Sequence, residues 1–226
     1  MPTPPFREMV QRIGEIQHPL PAGTSLGIGL AALVAVAFQV TWMFVRYFDT
    51  MAHEGSHAVM RSAQGFKITG VWLYWKDADG ETWSRGRGRG VLSTFVGYLG
   101  PSLFGLSAAK LISIGHPIAV LWLALALLVL LLANVKNVFG MLAIGVTGLV
   151  IYDFARYGTV THEEMAAYGI AWLLLFSGIR VVLEHWDGGG DAGSLQSSTQ
   201  ILRVTWARIW LVGAILALLL GARLMM

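Results

Sequence analysis

The chain has 226 residues, 55% of them hydrophobic and 13% charged, and its 16 Lys and Arg against 13 Asp and Glu leave a formal charge of +3. Soluble domains carry about 25% charged residues, so this composition, with a mean hydropathy of +0.62, excludes an ordinary soluble domain and defines an integral membrane protein. Cysteine is absent, which excludes disulfides, thiolate metal sites and cysteine nucleophiles, and no basic block interleaved with aromatics points to nucleic acid.

Residues 1–22 hold five prolines together with Arg7, Glu8, Arg12 and Glu15. They lack the short apolar core and small-residue cleavage site of a signal peptide. They are expected to form a tail or a short interfacial helix ahead of a membrane-embedded domain over 23–226. A span needs about 20 largely apolar residues. The stretches that meet or approach this are 24–45, 91–114, 117–133, 138–152, 165–182 and 204–220. The expected fold class is an all-α polytopic membrane protein with about six transmembrane helices. The third and fourth stretches read alternatively as a broken pair, and Gly140, Gly145 and Gly148 in the fourth suggest close helix packing.

Residues 66–90, FKITGVWLYWKDADGETWSRGRGRG, differ in kind. Residues 71–75 are rich in β-formers, Asp79-Gly80 is a turn signal, and residues 81–84 can return as a second strand. A small β-hairpin between the first and second spans follows. The alternative is an amphipathic loop held at the headgroups by Trp72, Trp75 and Trp83. Residues 61–90 carry Arg61, Lys67, Lys76, Arg85, Arg87 and Arg89, so the positive-inside rule makes this connection cytoplasmic. Lys136 and the last loop, about 183–203, then fall on the same side, and the connections at 115–116 and 153–164 fall outside with Arg156. Both termini are expected outside, against which Arg7 and Arg12 argue mildly.

Residues 53–57 read His-Glu-Gly-Ser-His. On a helix, HExxH sets two imidazoles at i and i+4 on one face, able to reach a single Zn²⁺, with the glutamate beside the metal as general base. Three fixed positions recur by chance in many chains. At the edge of a membrane the same residues weigh more, because ionisable groups there are costly and usually functional. Catalytic zinc takes three protein ligands and an open position. His53 and His57 supply two. Asp191, between Gly190 and Gly193 in the last loop, is the candidate for the third, with Asp187, His185 and Glu184 as alternatives nearby. His116 and His162 fall on the opposite side and His18 lies in the tail. His162 with Glu163 and Glu164 reads as the start of a helix, where carboxylates favour the dipole. One zinc ion would acidify its water and polarise a scissile carbonyl, while Glu54 would take the water proton and pass it to the leaving amine. Ser56 has no evident base except the histidine pair and is not expected to be a nucleophile.

These residues resemble the site-2 protease-like intramembrane zinc metalloproteases, in particular a small bacterial branch without a PDZ domain. The likeness rests on MAHEGSHAVM at 51–60, GVWLYWKDADGETWSRGRG at 70–88, GYLGPSLFGL at 97–106, NVFG at 137–140 and GDAGSLQSSTQI at 190–201. The resemblance implies His53 and His57 as zinc ligands, Glu54 as catalytic base and a late aspartate as third ligand. It also implies cleavage of membrane-embedded or membrane-tethered proteins at a bacterial plasma membrane. Asp191 departs from the family's usual Asp-Gly setting, being followed by Ala192, and Gly190 stands where the small branch often has serine. Gly97, Gly100 and Pro101 read as tight helix packing or as a hinge for substrate entry. Asn134 and Asn137 read as caps of the fourth span or as donors to substrate or ligands. The hairpin offers an edge to which an unwound substrate strand could add.

The expected function is a membrane-embedded zinc endopeptidase whose partners are a membrane-protein substrate and the lipid bilayer. Two competitors remain. One is a metal-binding, non-proteolytic membrane chaperone or regulator. The other is a small transporter, which would show inverted repeats and paired broken helices; no internal repeat is visible.

Overall fold

The computed structural model describes residues 11–76, 79–86, 90–186 and 189–226. In chain order these form α1 (Ala22–Ala37), α2 (Gln39–Ala63), β1 (Lys67–Leu73), β2 (Gly80–Arg85), α3 (Val91–Ser113), α4 (Pro117–Leu132), α5 (Val138–Tyr157), α6 (Val160–Glu184), α7 (Asp191–Thr199) and α8 (Arg203–Met225). Helices α3, α5, α6 and α8 are each long and apolar enough to cross a membrane, and α1 with α2 qualifies as a broken pair bent by 102°. Helix α4 is apolar but only 16 residues long. The fold class is the expected one, with four or five spans by length and composition and a short sixth apolar helix. Large apolar side chains on the outer faces, such as Leu142, Val146 and Leu149 of α5, are exposed, as a lipid solvent permits.

The continuous first span expected over 24–45 is broken at Phe38, whose backbone is extended at φ −85° and ψ 131°. The third and fourth stretches, in contrast, are two separate helices, α4 and α5. No proline or glycine marks the break. It is stabilised from α6: the Arg180 guanidinium donates to the Val36 carbonyl, left without a helical donor, and to Gln39, and lies 4.6 Å from the Trp42 ring centroid. The break gives α2 a course of its own, and the HExxH residues sit inside this 25-residue helix rather than past the end of a span.

Helix α6 is central. Its Tyr168, Ala171, Trp172 and Leu175 pack with Ala108, Ala109 and Ile112 of α3. Small residues set the spacing: a methyl group on Gly105 or Gly221 would press on Leu175. At one end of the bundle the N-terminal segment is tied down. One guanidinium nitrogen of Arg12, Nη2, donates to both carboxylate oxygens of the buried Glu163 at 2.7 and 2.8 Å, and the Gln17 backbone N–H donates to the Gly115 carbonyl at 2.9 Å. The charge of Arg12 is therefore matched within the protein.

At the other end lies the hairpin. β1 and β2 pair antiparallel, with an irregularity between Ile68 and Gly70. The first strand begins earlier than expected and stops at Leu73; the tip at 77–78 lies outside the described residues, as do Arg87 and Arg89. The outer edge of β1 is closed. The Val71 amide donates to Asn134 and the Lys136 amide to Val71, both at 2.9 Å. The Asn137 side chain continues the pattern, donating to the Leu73 carbonyl at 2.6 Å and accepting from the Leu73 amide at 3.2 Å. Asn137 thus stands in for a peptide group on the strand edge, and its side chain makes no cap bond to α5. The Asn134 side chain returns to Leu130 in α4.

Candidate metal centre

His53 and His57 are one turn apart on α2. Asp191 opens α7, a short helix within the expected last loop, directly after Gly190 at φ 59°. Helix α7 buries Ala192 and Leu195 against Tyr98, Val182 and Trp210, and this apolar seat fixes where its first residue points. The result is a triangle of ligand atoms. His57 Nε2 lies 3.0 Å from His53 Nε2, and Asp191 Oδ2 lies 3.2 Å from His53 Nε2 and 3.0 Å from His57 Nε2. Two residues of the same helix and a third more than a hundred positions away are brought to one point, as the alternation of spans requires.

Three observations show that this group fits a metal ion. Asp191 Oδ2 is buried, yet no hydrogen bond of acceptable geometry reaches it despite two imidazoles within 3.2 Å. His57 Nδ1 lies 2.8 Å from the Ser93 carbonyl, which can only accept, so Nδ1 carries a proton and, in the neutral ring, Nε2 is left with the lone pair that a metal takes. Tetrahedral zinc with ligand distances of 2.0–2.2 Å separates its ligand atoms by roughly 3.3–3.6 Å, so the triangle needs to open by only a few tenths of an ångström. The donor set, two imidazoles and a carboxylate, is that of a catalytic site with a position left open.

Helix α3 forms the wall. A methyl group added at Gly97 would come within 2.5 Å of His57 Cε1, 2.6 Å of its Nε2 and 2.7 Å of Asp191 Oδ2. At Gly100 it would strike Ser56, whose hydroxyl donates to the Ala52 carbonyl at 2.6 Å. The Gly-Pro motif is thus a close-packing surface, as one expected reading has it, and its first glycine faces the ligands themselves. Tyr98 packs edge-on against His53 at 4.9 Å and stacks on Trp210 at 4.6 Å.

Glu54 is 3% exposed and lies under the hairpin. The Thr82 hydroxyl donates to its Oε2 at 2.6 Å. Of the alternative third ligands, Glu184 is engaged by Trp42 Nε1 and Arg180 Nε, and His185 Nδ1 by the Val181 carbonyl. Asp187 lies outside the described residues. His116 follows the far end of α3, roughly 25 Å along that helix from Gly97. Sequence reasoning missed Thr82 and Ser93 altogether, because neither stands in a motif. A cavity of about 380 Å³ lies on the other face of α2, lined by Met51, Ala52, Gly55, Ala58 and Val59 among others; it is apolar and turned away from the ligands.

A polytopic helical protein with a His-His-Asp cluster, next to a glutamate seated under a small hairpin, is a membrane protein with the donor set of a metallohydrolase. The chain matches the family model described as Peptidase M50B-like over residues 26–221 and belongs to that family, the site-2 protease group its motifs resemble. The family is one of membrane metalloproteases. No curated protein and no solved structure matches the chain.

Proposed function

We propose that this protein is a zinc-dependent intramembrane endopeptidase in which His53, His57 and Asp191 hold the ion and Glu54 is the general base. The observation that carries the reading is the triangle of ligand atoms, 3.0–3.2 Å on each side, with two of its corners on the same helix as a buried glutamate. Bound zinc supplies Lewis acidity towards a carbonyl and a water molecule. The residues supply the rest. Ser93 holds the His57 tautomer, Asp191 brings the negative charge that favours a divalent ion, and Glu54 accepts a proton and delivers it to the leaving amine.

The substrate is a membrane-embedded or membrane-tethered protein, which must unwind before its peptide bonds are accessible. With β1 closed by residues 134–137, the outer edge of β2 is where an unwound strand would add. The test measures zinc and cleavage of labelled casein in detergent micelles. Wild type is expected to carry one zinc per chain and to cleave. Asp191→Ala is expected to lose the ion and the activity, whereas Glu184→Ala keeps the zinc. Asp191→Ala with full zinc would overturn the ligand assignment. Zinc-bound wild type that cleaves neither casein nor a labelled transmembrane peptide would favour the chaperone or regulator.

The basic residues of the hairpin and the 134–137 connection lie at the end of the bundle that carries the site, and this supports a site facing the cytoplasm of a bacterial plasma membrane. The native chain has no cysteine, so single cysteines report cleanly. A membrane-impermeant maleimide added outside is expected to label Thr161→Cys and to spare Gln64→Cys. The reverse pattern would invert the orientation.

A further inference from the structure

We infer that Thr82 is a positioning residue for the Glu54 carboxylate, which makes the hairpin a working part of the catalytic centre. The inference rests on the reading of Glu54 as general base.

β2 alternates along its length. Gly80, Thr82 and Ser84 are half-buried, while Glu81, Trp83 and Arg85 are exposed. The half-buried residues are small and meet polar groups of α2. Ser84 Oγ accepts from Arg61 at 2.6 Å, and Thr82 Oγ1 donates to Glu54 Oε2 at 2.6 Å with the Glu54 carbonyl 3.2 Å away. Gly80 leaves room for the rest of the side chain: a methyl group there would come within 2.7 Å of Glu54 Cγ and 3.0 Å of Oε1. The carboxylate is therefore gripped by one oxygen and shaped around by the absence of a side chain at Gly80.

The grip matters because a glutamate's last torsion is soft and broad. A base has to present one lone pair to one proton, and small misplacements of catalytic groups cost large factors in rate. A short bond from a neutral hydroxyl to a charged oxygen is strong enough to select one orientation. It occupies Oε2 and leaves Oε1, on the Gly80 side, for proton transfer. Among the described residues no other strand pairs with the far edge of β2, so a strand added there would bear on the same element that holds the base.

The test compares full-length wild type, Thr82→Val, Thr82→Ser and Glu54→Gln in detergent micelles. It reads kcat and KM on labelled casein, zinc per chain, and hydrogen exchange of the amides at 80–85. Thr82→Val is expected to lower kcat by about 10- to 100-fold, the usual size for loss of a supporting partner, with zinc and KM unchanged. Thr82→Ser is expected to restore kcat to within about threefold of wild type, since the hydroxyl is what acts. In the Glu54→Gln background Thr82→Val is expected to add no further loss. Exchange at 80–85 is expected to rise in Thr82→Val and stay near wild type in Thr82→Ser. Wild-type kcat in Thr82→Val, beside an inactive Glu54→Gln, would overturn this inference and leave the base reading standing. So would a loss in Thr82→Val that Thr82→Ser does not repair. Equal cleavage by wild type and Glu54→Gln would sink the base reading, and this inference with it.

Discussion

Glu54→Gln is expected to bind zinc like wild type and to lose proteolysis by roughly 10²–10⁴-fold, the range a positioned general base contributes. The substitution is nearly isosteric. It keeps an oxygen that can accept from Thr82 Oγ1, so the seat under the hairpin and the packing around a residue only 3% exposed are retained. It removes the one property that matters, the ability to take a proton. The metal shell is not touched, because the two imidazoles flanking residue 54 and the Asp191 carboxylate are the atoms that converge. The measurements are zinc per chain, the melting temperature and cleavage of labelled casein. Intact zinc and fold with lost cleavage identifies the glutamate as base. Undiminished cleavage would mean that the proton is handled elsewhere.

The same substitution separates the competing functions. A transporter that uses its histidine pair for passage would be indifferent to Glu54 in a proteolysis assay and would move metal across vesicles. Among the described residues the one broken helix pair is α1 with α2, and a second at a matching position, which a repeat-built transporter would show, is not present.

The motif on α2 was legible because helical geometry alone puts positions 53 and 57 on one face. Asp191 was legible because alternating spans return it to the same side. The hairpin could be read from its turn signal, and helical packing from the glycines at 97 and 100. The break at Phe38 was not. Residues 24–45 contain no local reason for it, and what holds it is Arg180, more than 140 positions later. The role of Asn137 was hidden for the same reason, since its partner is a backbone group of Leu73 and not a neighbour in sequence. Thr82 and Ser93 carry no signature at all. A threonine in a strand and a serine carbonyl in a helix acquire their roles only when β2 and α3 come to rest against α2. The pattern is physical: local periodicity and topology are written along the chain, whereas supporting contacts depend on long-range docking.

Gly97 offers the sharpest test of the ligand cluster. Gly97→Ala is expected to weaken zinc binding by roughly tenfold or more, the scale on which disturbed ligand support acts, while most of the fold survives. The added carbon would sit 2.5–2.7 Å from the His57 ring and Asp191 Oδ2, well inside van der Waals contact. Neither can yield freely. The ring is pinned through Nδ1 to Ser93 at 2.8 Å, and Asp191 is fixed by the apolar seat of α7. Relief has to come from separating the ligand atoms or from moving α3 away from α2, and both open the triangle. Gly100→Ala is the control. Its methyl group would meet Ser56 and the Ala52 carbonyl on the same helix–helix surface, away from the ligand atoms. Overpacking of this kind costs about 1–3 kcal/mol, so Gly100→Ala is expected to lower the melting temperature and keep zinc stoichiometric in the folded fraction. Gly97→Ala, measured by zinc per folded chain and by competition with a chelator, is expected to lose the ion at chelator concentrations that wild type withstands. Equal zinc affinity in the two variants would mean that the ion is held somewhere other than between α2, α3 and α7.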